Sequence, residues 1–409
     1  MTDTDTERTI FAEALCPKEV LEILSRDYLE EGGAAAVWLV ILSALLAAFI
    51  AGLLYISFRA AHFGFVRRIA AGRKSVSRLI CFAGFVFLTV LLSLVWNLMN
   101  AFVCIVHLMI FWMICDGISY VISKIRHKEP ARSAAGAAAM ILCVLYLAGG
   151  WYAAHHVWTA VYRFDTGKLN GDFRIVQLTD SHLGTVFHAD RFEKYMDEIN
   201  ALSPDAVVLT GDFVDESTTR TDMLGGCDAL GRLKTRCGVF FVYGNHDTGY
   251  ISSERRGWTD AELRKRLEEN GVTVLEDSGI LIDGQLYLAG RKDRSSYQRG
   301  DERKSAKELV SELDRNKYIV LLDHQPFDFD AEAEAGTDLV LCGHTHGGQL
   351  IPINHVGEWI GENCLSYGHE KRGGTDFIVS SGIGSWSLQF KTGCRSEIVV
   401  VDIRGGGNR

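Results

Sequence analysis

The sequence predicts a two-part chain: four membrane-spanning helices, followed by an α/β domain whose sheet is covered by helices. Three observations predict it. Charge is split unevenly: up to Trp158 there are 13 Lys and Arg against 11 Asp and Glu, which leaves 29 against 40 of the totals of 42 and 51 for the remainder. The first part carries apolar runs of membrane-crossing length. From Phe173 onward, short β-branched runs alternate with stretches of helical period, the mark of a sheet packed against helices.

The balance of charge bounds the partners. The second part is acidic, with a net charge of −11, and has no basic stripe. Phosphate backbones require a positive footprint, so no nucleic-acid partner is expected. Clustered Asp and His suit divalent cations instead. Ten cysteines are scattered without C-x₂₋₄-C spacing, which excludes a zinc knuckle. Cys81, Cys104, Cys115 and Cys143 lie in apolar runs. The second part holds an odd five, so a complete disulfide framework is not indicated, although Cys227–Cys237 or Cys364–Cys394 could pair.

The domains are expected at residues 1–34 (an acidic segment), 35–158 (four spans), 159–404 (the α/β domain) and 405–409 (a glycine-rich disordered tail). The spans are Ala35–Phe58, Leu79–Met99, Ala101–Ser123 and Ala135–Ala154, each near the roughly 20 residues that cross a hydrocarbon core. Asn97 and Asn100 mark a turn between the second and third. The first 34 residues lack a basic start, so no cleaved signal peptide is expected. Arg59, Arg67, Arg68, Arg73, Lys74 and Arg78 lie between spans one and two. Lys124, Arg126, Lys128 and Arg132 lie between spans three and four. The positive-inside tendency makes both loops cytoplasmic, which puts the amino terminus and the large carboxy-terminal domain on the extracytoplasmic side of the cell membrane. His107 and Asp116, inside the third span, are nine positions apart. At about 100° per residue they face opposite ways and cannot pair; such groups are costly in a span and often functional, or else pack against neighbouring polar groups or lie near an interface.

In the second part, strands are expected over Arg174–Leu178, Ala206–Leu209, Val239–Tyr243, Ile280–Ile282, Leu286–Ala289, Tyr318–Leu322 and Asp338–Leu341. Helices are expected over Asp190–Ala201, Met223–Leu233, Asp260–Glu269 and Ala306–Arg315. Pro204 stops the first helix, and Asp283-Gly284 turns a hairpin.

The loops at the strand ends carry the chemistry. Asp180-Ser181-His182 comes after the first strand, Gly211-Asp212-Phe213-Val214-Asp215 after the second, and Gly244-Asn245-His246-Asp247 after the third. Asp323-His324 and Gly343-His344-Thr345-His346 come after the last two. Ligands gather at the carboxyl ends of strands in open α/β sheets, so five such loops open on one edge. A lone Asp or Asn there is ordinarily a turn former or helix cap; five loaded loops in order are a constellation. Carboxylate, amide and imidazole donors without thiolate suit Mn, Fe, Co, Ni or Zn. More than six candidates are too many for one open catalytic ion, whereas two ions bridged by a carboxylate would use them. Gly211, Gly244 and Gly343 allow tight turns beside them.

The blocks DSH, GDxxD, GNHD, DHxP and GHTH resemble the signature of the calcineurin-like metallophosphoesterases. GHTHGGQ and Gly382-Ile383-Gly384 are similar to the bacterial membrane-associated branch. The resemblance covers about Phe173–Ile403 and implies an α+β sandwich. It also implies that Asp180, His182 and His346 hold one divalent metal, that Asn245, His324 and His344 hold the other, and that Asp212 bridges them. A metal-bridging hydroxide would be the nucleophile. His246 would stabilise the phosphate or protonate the leaving oxygen, with Asp247 orienting it.

Other residues are read more plainly. Asp215 orients its loop, Cys342 packs, and Glu332-Ala333-Glu334 forms a solvated helix face. His188, Arg220, Arg291, Lys292 and Arg294 are either anion contacts or surface residues. Relatives carry a Pro and an Arg near Pro-Glu-Ile where this chain has Leu388-Gln389-Phe390-Lys391 and Arg395-Ser396-Glu397-Ile398, a departure that bears on substrate rather than on metals.

The expected activity is a metal-dependent phosphoesterase acting on a phosphorylated substrate, preferably lipid or lipid-linked, at the outer membrane face. The alternatives are a phosphodiesterase for soluble nucleotides or small esters, a non-enzymatic membrane sensor or scaffold, and a transporter. The last is weakened by four spans without repeats.

Overall fold

Apolar length decides the amino-terminal architecture. In a computed structural model, which describes residues 34–248, 253–298 and 300–406, long helices run Ala34–Ala60, Lys74–Val95, Leu98–Arg126 and Arg132–His155. Each contains a stretch long and apolar enough to cross a membrane. The expected acidic segment therefore lies, but for its last residue, outside the described residues, as does the end of the tail. Gly405 closes a strand rather than opening a disordered tail. The chain divides into two compact units between Gly149 and Gly150.

In the first unit, Asn97 separates two of these helices by capping the second of the pair. Its side-chain oxygen accepts from the Asn100 N–H at 2.9 Å, satisfying a donor that a helix start leaves open. Ile56, Ile105, Trp112 and Ala139 pack at the centre, while Phe87 and Leu94 point outward. Asp116 finds its partners on the helix Ala34–Ala60, accepting from the Tyr55 hydroxyl at 2.6 Å and from Arg59. His107, buried, has Nδ1 2.8 Å from the Val103 carbonyl oxygen and stacks on Tyr146.

In the second unit, alternation of side chains builds four layers. One sheet has the order β1 (Val157–Thr166), β12 (Ser396–Gly405), β2 (Phe173–Leu178), β3 (Ala206–Thr210), β4 (Val239–Val242) and β5 (Val272–Val274). The other has β10 (Gly368–Arg372), β11 (Thr375–Val379), β9 (Leu339–Cys342), β8 (Tyr318–Leu322), β7 (Leu286–Gly290) and β6 (Ser278–Ile282). Period two sends Ile175, Val208 and Phe240 inward against Leu288, Val320 and Leu341 of the facing sheet. It sends Val176, Leu209 and Phe241 outward against the helices Ala189–Ala201, Arg220–Leu230 and Asp260–Glu269. Helices Ala306–Ser311 and Phe329–Ala335 cover the other outer face. Truncating a fully buried residue such as Phe241 to Ala would cost about 3–5 kcal/mol.

β2, β3 and β4 run parallel, as do β7, β8 and β9, so their carboxyl ends share one edge of the sandwich. Asp283 and Gly284, at φ 49° and 67°, turn the β6–β7 hairpin. β1 was not among the expected strands. It pairs in parallel with β12, which places Val157 and Trp158 in the sheet rather than with the spans.

Candidate metal centre

The five loops converge. Donor atoms of Asp180, His182 and His346 lie within 4.8 Å of one another, as do those of Asp212, His324 and His344. Asn245 joins the second trio: its Oδ1 is 3.2 Å from Nε2 of His324 and 2.9 Å from Nδ1 of His344. Oδ2 of Asp212 stands between the trios, 3.6 Å from Nε2 of His182 and 3.1 Å from Nε2 of His324.

The backbone is bent to achieve this. Asp180, His182, Asp212, His344 and His346 all have positive φ, from 40° to 69°, a region that side chains with a Cβ disfavour. Each such residue costs about 1–3 kcal/mol, and such strain concentrates where function needs it. Crossed backbone hydrogen bonds hold it. The N–H of Asp180 donates to the Gly211 carbonyl at 3.0 Å and that of His182 to the Asp212 carbonyl at 3.1 Å. Gly211 itself, at φ 87°, lies where a Cβ would sit 2.7 Å from the Gly244 Cα, so these two loops touch only because it is glycine.

Partners outside the trios set the tautomers. Nδ1 of His324 is 2.7 Å from the Thr210 carbonyl, which can only accept, so that nitrogen carries a hydrogen and Nε2 is turned toward Oδ2 of Asp212. Nδ1 of His182 likewise faces Oδ2 of Asp215 at 3.1 Å. The Asp180 carboxylate accepts from the Thr179 hydroxyl at 2.7 Å and from the His344 N–H at 3.0 Å.

These residues fit two cations. Nε2 of His182 and Nε2 of His346 meet at 3.1 Å inside the protein, two ring nitrogens that a shared positive charge would reconcile, and Nδ1 of His346 has no hydrogen-bond partner. Burial pushes the carboxyl of Asp212 up, but the charges of His324 and His246 overcome this and hold it well below the usual range. Burial, then the neighbouring His324, pushes His344 down to about 3; burial, then His182, pushes His346 well down. His344 and His346 are thereby kept in the neutral form in which imidazole ligates metal, whereas for His324 burial is outweighed by the charge of Asp212, which carries it well above the usual imidazole value.

His246 and Asp247 part company. Oδ2 of Asp247 accepts from the N–H groups of Asp212 and Gly244 at 2.8 and 2.7 Å, and Oδ1 from Phe213 and Val214 at 2.8 and 3.1 Å. Its carboxylate ties two ligand loops together. The acid facing the His246 ring is Glu216, both of whose oxygens lie 3.0 Å from Nδ1. Sequence reasoning missed Glu216, although it directly follows the Gly211–Asp215 block. Burial would lower the proton affinity of His246, but the charges of Glu216 and Asp212 carry it up to about 10. Trp386 lies against this ring, with centroids 5.3 Å apart.

Other expectations have mixed outcomes. Asp215 holds the His182 ring as well as its own loop. Glu332 is buried, not solvated: with Asp323 and Asp328 it surrounds buried Arg291, at 3.2, 2.8 and 3.2 Å. Arg291 is therefore neither a surface residue nor an anion contact. Arg220 pairs with Glu262, His188 with Asp222, Lys292 donates to the Glu302 carbonyl, and Arg294 lies over Phe327. The described cysteines are free, so neither suggested disulfide forms, and Cys342 is core. In the stretch Leu388–Ile398, buried Lys391 donates to the Ser381 and Gly382 carbonyls and buried Glu397 accepts from Tyr367.

Comparison with known proteins gives the same chemistry a lineage. The model of the calcineurin-like phosphoesterases matches residues 173–348. An uncharacterized metallophosphoesterase of Aquifex aeolicus is 30% identical over 277 residues, 66% of this chain and 100% of that one. One from Campylobacter jejuni is 30% identical over 238 residues, 58% of this chain and 61% of that one. A transmembrane protein with metallophosphoesterase domain from Danio rerio is 28% identical over 248 residues, 58% of this chain and 54% of that one. The matched region thus spans about three fifths of the Campylobacter protein.

Proposed function

The chain belongs to the calcineurin-like phosphoesterases, and from that membership we propose that it is a membrane-anchored hydrolase of phosphate ester or pyrophosphate bonds. The observation that carries the reading is the approach of Asp212 Oδ2 to His182 on one side and His324 on the other. Asp180, His182 and His346 would hold one divalent cation, and Asn245, His324 and His344 the other, with Asp212 shared. Bound there, the cations supply Lewis-acid charge that acidifies water and neutralises phosphoryl oxygens.

The side chains do the rest. Asp215 and the Thr210 carbonyl fix the rings of His182 and His324, so little reorganisation remains at reaction. Glu216 takes Nδ1 of His246, and in this reading Nε2 is the nitrogen that would deliver a proton to the leaving oxygen. Trp386 packs beside the His246 ring on that side.

The preferred substrate class is a lipid or lipid-linked phosphate, since the domain begins where a membrane-length helix ends. The domain is assigned to the extracytoplasmic side by the basic residues of the two short loops. Purified full-length protein, assayed on a chromogenic phosphodiester and phosphomonoester with and without Mn²⁺, tests the activity. Turnover that requires the cation and vanishes in Asp212→Ala is expected. A folded protein inert with every divalent cation would overturn it. Equal turnover of a soluble nucleotide and a lipid-presented phosphate would remove the lipid preference alone.

A further inference from the structure

Immediately after the His346–Gly348 turn the chain runs into a loop that is apolar yet exposed. Ile351, Ile353, Trp359 and Ile360 are 46, 51, 71 and 43% exposed. Large apolar side chains grouped on one loop gain by leaving water, and such patches mark a binding surface. No Lys or Arg occurs from Gln349 to Glu362, so the occupant is not recognised by basic charge.

Where the loop is fastened tells what covers it. The N–H of Ile351 donates to the Thr392 hydroxyl at 3.0 Å, and the N–H groups of Thr392 and Gly393 donate back to the Gln349 carbonyl at 2.8 and 3.1 Å. The next residue along, Lys391, donates its N–H to the carbonyl of Gly150 at 2.9 Å. Gly150 lies in the last turns of the membrane-length helix Arg132–His155, and a Cβ there would stand 2.7 Å from the Thr392 methyl. The loop is thus clamped, through two residues, to the point where the chain leaves the membrane. That level is marked on the helix itself by exposed Trp151 and Tyr152, side chains that favour the membrane–water boundary.

We propose that the loop Ile351–Ile360 is an interfacial docking element, whose apolar side chains enter the headgroup boundary of the phospholipid bilayer beside the metal centre. Only five positions separate His346 from Ile351, so docking fixes the ligand loop at the height of lipid headgroups. The proposal deepens the lipid-substrate reading by stating how the bilayer presents substrate, but docking can be measured without turnover.

The test uses full-length protein in phosphatidylcholine vesicles whose acyl chains are brominated near the headgroup. The emission of Trp359, taken as wild type minus Trp359→Phe, should be quenched by the brominated lipid and protected from aqueous iodide. Because the contact is apolar, raising salt to about 0.5 M should leave the quenching unchanged. Emission untouched by bromine and fully open to iodide would overturn the proposal. Separately, the combined variant Ile351→Ser, Ile353→Ser, Trp359→Ser should turn over a lipid-presented phosphate about tenfold more slowly and a soluble ester at the wild-type rate. Undiminished lipid turnover in that variant would also overturn it. Quenching with no turnover of any lipid-presented phosphate, by wild type included, would uphold docking and sink the lipid-substrate reading.

Discussion

Both carboxylate oxygens of Glu216 lie 3.0 Å from Nδ1 of His246, making an acid just outside the metal-ligand blocks the partner of the ring beside the centre. Glu216→Gln keeps the shape and removes the charge that holds the ring. If His246 protonates the leaving oxygen, the loss falls on substrates that need the proton. Turnover of an alkyl phosphate ester should fall about 10²-fold, and that of a nitrophenyl ester by much less, with KM nearly constant. An equal loss on both esters would make Glu216 a merely structural residue.

Asp212 is asked to serve both trios. Asp212→Ala should abolish measurable turnover and lower bound metal from about two ions per chain, as read by elemental analysis of the purified protein. Chelation of wild type should lower its thermal midpoint, because a ligand held at 100 times its Kd stabilises by about 2.7 kcal/mol. Strained backbone at Asp180, His182, Asp212, His344 and His346 would then lack its compensating bonds. A midpoint unmoved by chelator would contradict the assignment of these residues to metal.

Asp247 accepts four backbone N–H groups from two loops. Asp247→Ala leaves those buried donors unpaired, at about 1–3 kcal/mol for each one that finds no substitute. The variant should unfold at markedly lower denaturant than His246→Ala, which removes a ring and leaves the loops tied. A stability equal to that of His246→Ala would show that water replaces the carboxylate.

Glu332 and Asp323 share one environment around Arg291. Burial, then the charge of Asp323, pushes the carboxyl of Glu332 well above its ordinary value; burial of Asp323 is outweighed by Arg303 and Arg291, which hold it down. A raised folded value means the stabilising proton is fully present below the unfolded pKa and is lost as pH rises through the folded one. Glu332→Gln keeps a neutral amide beside Asp323, whose buried Oδ1 has no hydrogen-bond partner. Its thermal midpoint should therefore gain on wild type as pH increases. A constant difference from pH 6 to 9 would show that Glu332 does not exchange its proton in that range.

Much of this was legible in the chain. Apolar length announced four helices, and β-branched runs followed by Asp, Asn and His announced five loops at one sheet edge. Both signals are local: a span is recognised by about 20 consecutive residues, and a strand-end ligand by the few residues before it. Asp180, His182, Asp212, Asn245, His324, His344 and His346 could thus be named before any contact was known.

The folded chain alone decided what depends on distant residues. β1 lies beside β12 because an edge pairing more than 200 positions apart completes the sheet, and no local period encodes that. Glu216 and Asp247 are both acids near ligand blocks, and only their surroundings separate a ring partner from a backbone clamp. Glu332 resembles any surface glutamate until the fold brings Arg291 and Asp323 around it and removes water. The loop from Ile351 to Ile360 acquires its place only when Thr392 and Lys391 tie it to Gly150. Residue chemistry and local period are written in consecutive letters, whereas burial, charge environment and neighbourhood are set by long-range packing.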